Sequence, residues 1–208
     1  NKLYCAYTAT ALSLGNHQIN PYLLATDEFE HILTVPEADA ITSANKNHNK
    51  ETIVNYQNVM DNSGAQNKAL KKAYERFQAL DDTSILKQNY NKYIDDNSKW
   101  LDFPRTGEPD IGFFKFKQFL ADEHLKVGKK MLNDMGIKLC GDCLIGFSSD
   151  EVKAFPNAFK KDHYIGDPEW RLPALDYDAI TDPNSDAAKL LKMKVQLFAK
   201  RYDAIRFD

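Results

Sequence analysis

Arg206 and Asp208 stand two residues apart at the end of an apolar run, Ala204-Ile205-Arg206-Phe207-Asp208. Side chains on a strand alternate between its two faces. Arg206 and Asp208 are therefore expected on one face, and Ile205 and Phe207 on the other, packed under helices. A guanidinium beside a carboxylate keeps it ionised and orients it. Glycosidic nucleophiles must be both ionised and aimed. The same spacing also suits a purely structural ion pair, so the residues alone leave both readings open. A second run, Ile137-Lys138-Leu139-Cys140-Gly141-Asp142, likewise ends in an acid.

Cys140 and Cys143 form a C-x-x-C, and Cys5 is the third cysteine of the chain. A zinc site needs further ligands at suitable spacing, and the sequence has no second C-x-x-C and no H-x-x-x-H. A redox pair belongs at a helix N-terminus, whereas this one lies at an expected strand end. No metal and no cofactor are assigned. Three sparse cysteines do not make a disulfide framework and point to a reducing, cytoplasmic setting.

The elements that must hold these residues are legible from periodicity. Residues 1–26 read as loop, and a helix start follows at Thr26-Asp27-Glu28-Phe29. Residues 36–65 are polar and Asn-rich, an irregular or short-helical connection. Ala69, Leu70, Ala73, Phe77 and Leu80 predict a helix over 66–80. Ile85, Leu86, Tyr90, Tyr93 and Ile94 predict another over 84–100, and Pro104, Gly107 and Pro109 mark a loop after it. Phe113, Phe116, Leu120, Val127 and Met131 trace one face of a helix over 111–135, stopped by Gly136. Residues 148–172 read as loop with short helical turns. A last helix spans 186–202, capped by Asp182 or Ser185. Strand, helix, strand in this order is the rhythm of a parallel sheet. Polar groups at the C-terminal strand ends match where (β/α)8 barrels keep their active sites.

Bulk composition narrows the partners. The 208 residues are 43% apolar and carry a net charge of −3 with dispersed basic residues. This excludes a basic nucleic-acid-binding surface, and no apolar run reaches the length of a membrane span.

The motifs, taken in order, resemble the 4-α-glucanotransferases (amylomaltases, disproportionating enzymes) of glycoside hydrolase family 77. Gly141-Asp142-Cys143-Leu144-Ile145, then Ser149, Val152, Ala154 and Pro156, is similar to the family's Gly-Asp-x-Pro-Ile, Ser and Val-Trp-Ala-x-Pro. Trp170-Arg171-Leu172-Pro173 resembles Trp-Gly-Asn-Pro, and Tyr202 through Asp208 resembles Phe-Asp-x-(Val/Ile)-Arg-(Ile/Leu)-Asp. Cys5-Ala6-Tyr7, Gly15-Asn16 and Trp100-Leu101-Asp102 fall where the family has Ser-Pro-Tyr, Gly-Asn-Pro and Trp-Leu-x-Asp. The likeness is strongest over 110–208.

The resemblance implies an α/β fold, part of a (β/α)8 TIM barrel. Residues 1–26 would be a loop after strand two, 27–110 a mainly helical insertion, and 111–208 the barrel through strand four. It implies Asp208 as nucleophile and Arg206 as its support. Asp142 would bind the sugar in the −1 subsite, Tyr7 would stack on it, and Trp170 would line the acceptor side. The partners would be α-1,4-glucans and maltooligosaccharides. The acid/base Glu of the family lies beyond strand four, so this stretch is expected to be a fragment that is inactive alone. Cys143-Leu144, Lys153, Cys5-Ala6 and the short His163–Glu169 segment depart from the pattern and bear on acceptor specificity more than on reaction class. An α-amylase-type hydrolase shares Arg-x-Asp but has Asn-His after strand three, where this chain has Leu144-Ile145-Gly146. A non-catalytic glucan-binding module is the third reading.

Overall fold

Helix α1 (Ala65–Gln78) and helix α2 (Ile85–Leu101) form where the apolar spacing predicts them. Asp110 accepts from the Phe113 amide at 2.9 Å and opens helix α3 (Ile111–Asp134). The computed structural model describes residues 64–105 and 109–207, together with positions 34, 36, 37, 39, 40 and 43. Tyr7, Asp208, Cys5, the loop expected over 1–26 and the helix start at Thr26 lie outside the described residues. Pro36, Glu37, Asp39, Ala40 and Ser43 are helical.

The described residues fall into two units. One comprises the described positions between 34 and 43 together with 64–97 and 110–121, and is mainly helical. Its core is aromatic: Phe77 meets Phe116 and Tyr90 at 4.9 Å between ring centroids, and Tyr90 meets Phe119 edge-on at 5.5 Å. Such tilted and edge-on pairs add stability beyond their buried area. Leu80 lies past the end of α1 and is exposed, as is Ile85 at the start of α2. Both were expected on apolar helix faces.

The second unit comprises 98–105, 109 and 122–207. Helix α3 ends in a Schellman turn: Ile137 N–H donates to Leu132 O at 2.8 Å and Gly136 N–H to Asn133 O at 2.9 Å. Gly136 takes φ +74, which glycine adopts without steric penalty. Strand β1 (Cys140–Cys143) follows, then helix α4 (Ser149–Ala154). Strand β2 (Phe159–Ile165) pairs antiparallel with strand β3 (Leu172–Leu175). Helix α5 (Asp186–Arg201) leads into strand β4 (Ala204–Phe207), which pairs parallel with β1. Ser185, the second of the two expected caps, accepts from the Ala188 amide at 3.0 Å. Phe147, Ala158, Leu175, Ala187 and Leu190 form the core here, with Val152, Phe155, Phe159 and Leu191 packed around them.

Three local expectations are corrected. Val127 and Met131 are exposed although they share a helical face with Phe113, Phe116 and Leu120, which are buried. Periodicity tells which residues share a face, not how far along it a neighbour extends. Strands β2 and β3 replace a stretch read as loop and helical turns. Phe159-Lys160-Lys161-Asp162-His163-Tyr164-Ile165 has no apolar alternation, and its register shifts between Phe159 and Tyr164, where Asp162 takes φ +57. Phe207 is exposed rather than packed under a helix, while Ile205 is half-buried. Among the described residues no helix is long and apolar enough to cross a membrane.

Candidate functional site

Asp203 sets the geometry of the β1–β4 pair. Its N–H donates to Leu139 O at 2.9 Å, and its Oδ2 accepts from the Leu139 N–H and from Asn133 Nδ2, each at 2.9 Å. Lys129 Nζ lies 3.1 Å from Oδ1. These contacts, Asn133 foremost, then the Leu139 amide and Lys129, hold the Asp203 carboxyl down at about 2. The parallel ladder begins one residue later, with Cys140 opposite Ala204, Gly141 opposite Ile205 and Asp142 opposite Arg206.

Gly141 lets this happen. A Cβ at this position would collide with the ring of Tyr202, which leads from α5 into β4. Tyr202 is itself braced on Phe198 at 5.3 Å, and burial raises its hydroxyl above the ordinary phenol range. The strand start is thus keyed to the end of the helix that precedes its partner.

The register brings two of the five expected site residues together. Arg206 Nη1 donates to Asp142 Oδ2 at 3.0 Å. The Asp142 side chain is 8% exposed and that of Arg206 53%. Asp142 Oδ1 is buried with no hydrogen-bond partner among the described residues. A buried carboxylate oxygen left unsatisfied is uncommon, because its desolvation goes uncompensated. Chemically it is an acceptor awaiting a donor, on a carboxyl group oriented by the neighbouring guanidinium.

Trp170 is placed on the turn of the other sheet. Its N–H donates to Asp167 O at 2.9 Å, and its indole lies over Gly166, whose absent Cβ would be 3.0 Å from the ring. Gly166 takes φ +75 and Arg171, next to the tryptophan, φ +46. Trp170 is 59% exposed, so aromatic surface is open to a ligand. Asp208 and Tyr7 cannot be positioned relative to these residues, as both lie outside the described ones.

The C-x-x-C is split by strand geometry. Residues three apart point to opposite faces of β1: Cys140 is exposed and Cys143 buried. Burial pushes the Cys143 thiol up, with Asp142 and Glu151 adding to the rise and Lys194 opposing it. Cys143 is therefore held as a thiol rather than a thiolate.

Sequence reasoning passed over Asp203 and Lys194. For Lys194 a signal was present: Leu190, Lys194, Leu197 and Arg201 recur at helical spacing, and all four are buried. A cation inside an apolar stripe marks a charge with a specific partner. Asp203 carried only the weaker signal of an acid between a helix end and a strand.

No protein-family model and no curated protein matches this chain.

Proposed function

We propose that this chain is the strand-three to strand-four segment of a 4-α-glucanotransferase of the family-77 type, acting on α-1,4-glucans and maltooligosaccharides in a reducing, cytoplasmic setting. The β1–β4 pair is then two neighbouring strands of a (β/α)8 barrel. The observation that carries the reading is Asp142: a carboxylate oriented by Arg206, with one buried oxygen unsatisfied among the described residues, near the C-terminal end of a parallel strand.

In this reading Asp142 accepts hydrogen bonds from the hydroxyls of the sugar being transferred. Each hydrogen bond to a charged group is worth about 1.5–3 kcal/mol. Arg206 donates to Asp142 and holds its carboxylate in place. Asp208, two residues on from Arg206 in the sequence, attacks the anomeric carbon and forms a covalent glycosyl-enzyme. A second carboxyl group about 5–5.5 Å away protonates the leaving oxygen and later deprotonates the acceptor. A sugar acceptor gives transfer, and water gives hydrolysis. Trp170 offers its indole face to an acceptor ring, the C–H face of a sugar packing on the aromatic plane while its hydroxyls stay in water. Tyr7 stacks on the donor sugar.

Calorimetric titration with maltoheptaose tests this. Saturable binding is expected, absent with a β-1,4-linked glucan and lost in Asp142→Ala. A wild-type chain that binds no maltoheptaose, or an Asp142→Ala variant that binds it as well as wild type, sinks the reading.

A further inference from the structure

Lys194 is buried on α5, and its Nζ donates to Leu144 O, in the segment that joins β1 to α4. Nζ also sits 4.3 Å from the centroid of the Phe147 ring in that segment. The segment ends at Ser148, whose N–H donates to Glu151 Oε2 at 2.6 Å while Ser148 Oγ accepts from the Glu151 N–H at 3.3 Å. Glu151 is itself buried, and its charge acts on Lys194. One ammonium therefore meets a carbonyl and an aromatic face and feels the charge of Glu151, all belonging to the stretch that starts two residues after Asp142.

Burying an ammonium is unfavourable unless geometry and partners compensate, and apolar replacements of similar volume are often neutral or stabilising. Stability alone thus gives no reason for a lysine within the stripe of Leu190 and Leu197. Its partners supply one. Leu144 O is the first carbonyl beyond β1, and anchoring it sets the direction in which the strand leaves its ladder with β4. Asp142 is in the next-to-last pair of that ladder, and its Oδ1 is buried without a partner among the described residues.

We infer that Lys194 is a positioning residue: by clamping Leu144 and Phe147 from α5, it fixes the segment after β1 and, through it, the direction of the Asp142 carboxylate. The consequence for sugar binding rests on the glucan reading above; the clamp itself does not.

The test uses Lys194→Met, which keeps the unbranched bulk and removes the charge. Three readouts are taken: thermal unfolding, amide exchange over 144–148, and the NMR signal of 13C-labelled Asp142 Cγ. The melting temperature is expected to hold or rise, amide exchange in 144–148 to quicken about tenfold or more as local opening becomes easier, and the Asp142 signal to shift. Lys194→Arg, which retains a donor and a cation, is expected to bring the Asp142 signal back toward wild type. A purely structural lysine would change the melting temperature and leave the Asp142 signal in place. If Lys194→Met does not fold, Lys194→Gln, neutral and too short to span to Leu144 O, supplies the same readouts. Unchanged exchange and an unchanged Asp142 signal in the folded variant overturn the assignment. Maltoheptaose titration separates the two readings. A wild-type chain that binds no glucan removes the sugar but not the clamp, whereas unchanged exchange with a silent Asp142 signal removes the clamp whatever the wild type binds.

Discussion

Arg206 and Asp142 face one another across two parallel strands, Nη1 to Oδ2 at 3.0 Å, with their Cα atoms in register. The pair is asymmetric. The guanidinium is half in solvent, while the carboxylate is nearly enclosed and keeps a second oxygen unsatisfied among the described residues. An ion pair with one exposed partner contributes only ~0–1 kcal/mol to stability. A binding role and a structural role therefore predict different outcomes for the same substitution.

Asp142→Asn is expected to leave the melting temperature within a few degrees of wild type. Its affinity for maltoheptaose should fall roughly ten- to hundredfold, the loss of one charged hydrogen bond worth ~1.5–3 kcal/mol. Arg206→Ala should weaken binding less, since it disturbs the carboxylate without removing it. Calorimetry beside thermal unfolding checks both. A large stability loss with unchanged affinity would assign the pair to structure.

Gly141→Ala forces a methyl group into the Tyr202 ring. The expected loss is about 1–3 kcal/mol, the range for overpacking, read by urea unfolding. Because the clash is with one side chain, Tyr202→Leu in the Gly141→Ala background should recover part of the loss. Additive losses in the double variant would contradict the direct collision.

Acid should loosen both units. Glu37 is held from 4.5 down to about 2, chiefly by hydrogen bonds from Arg76, and Asp203 from 3.8 down to about 2 by Asn133, the Leu139 amide and Lys129. A folded-state value below the unfolded one means that the carboxylates stabilise fully above their unfolded values. That contribution fades as pH falls from the mid-4 range toward 2. Glu37→Gln and Asp203→Asn should each lower the melting temperature at neutral pH and flatten its fall between these limits. A variant melting curve that keeps the wild-type acid slope would reject the assignment for that residue.

Trp170→Ala removes an exposed ring and little packing. Folding should be unaffected, and affinity for longer maltooligosaccharides should fall more than for maltose. Intrinsic fluorescence offers a second check, since Trp100 is buried and Trp170 exposed. Quenching by glucan should vanish in the variant; quenching that persists would move the signal to Trp100.

Among the described residues, the sequence by itself determined the four long helices, although α1 stops short of Leu80. A cap such as Ser185, a left-handed Gly136 and the spacing of Phe113, Phe116 and Leu120 act within a few residues, so local chemistry suffices to read them. It also marked Arg206 and Asp142 as polar groups at strand ends. Tertiary structure alone decided that they are partners. Both that contact and the Asp203–Leu139 contact that sets its register join residues 64 positions apart. No short-range periodicity encodes such a pairing. The same holds for the burial of Lys194, the exposure of Val127 and Met131, and the polar β2–β3 pair. Each depends on which element lies alongside, and that is settled only when the chain has folded back on itself.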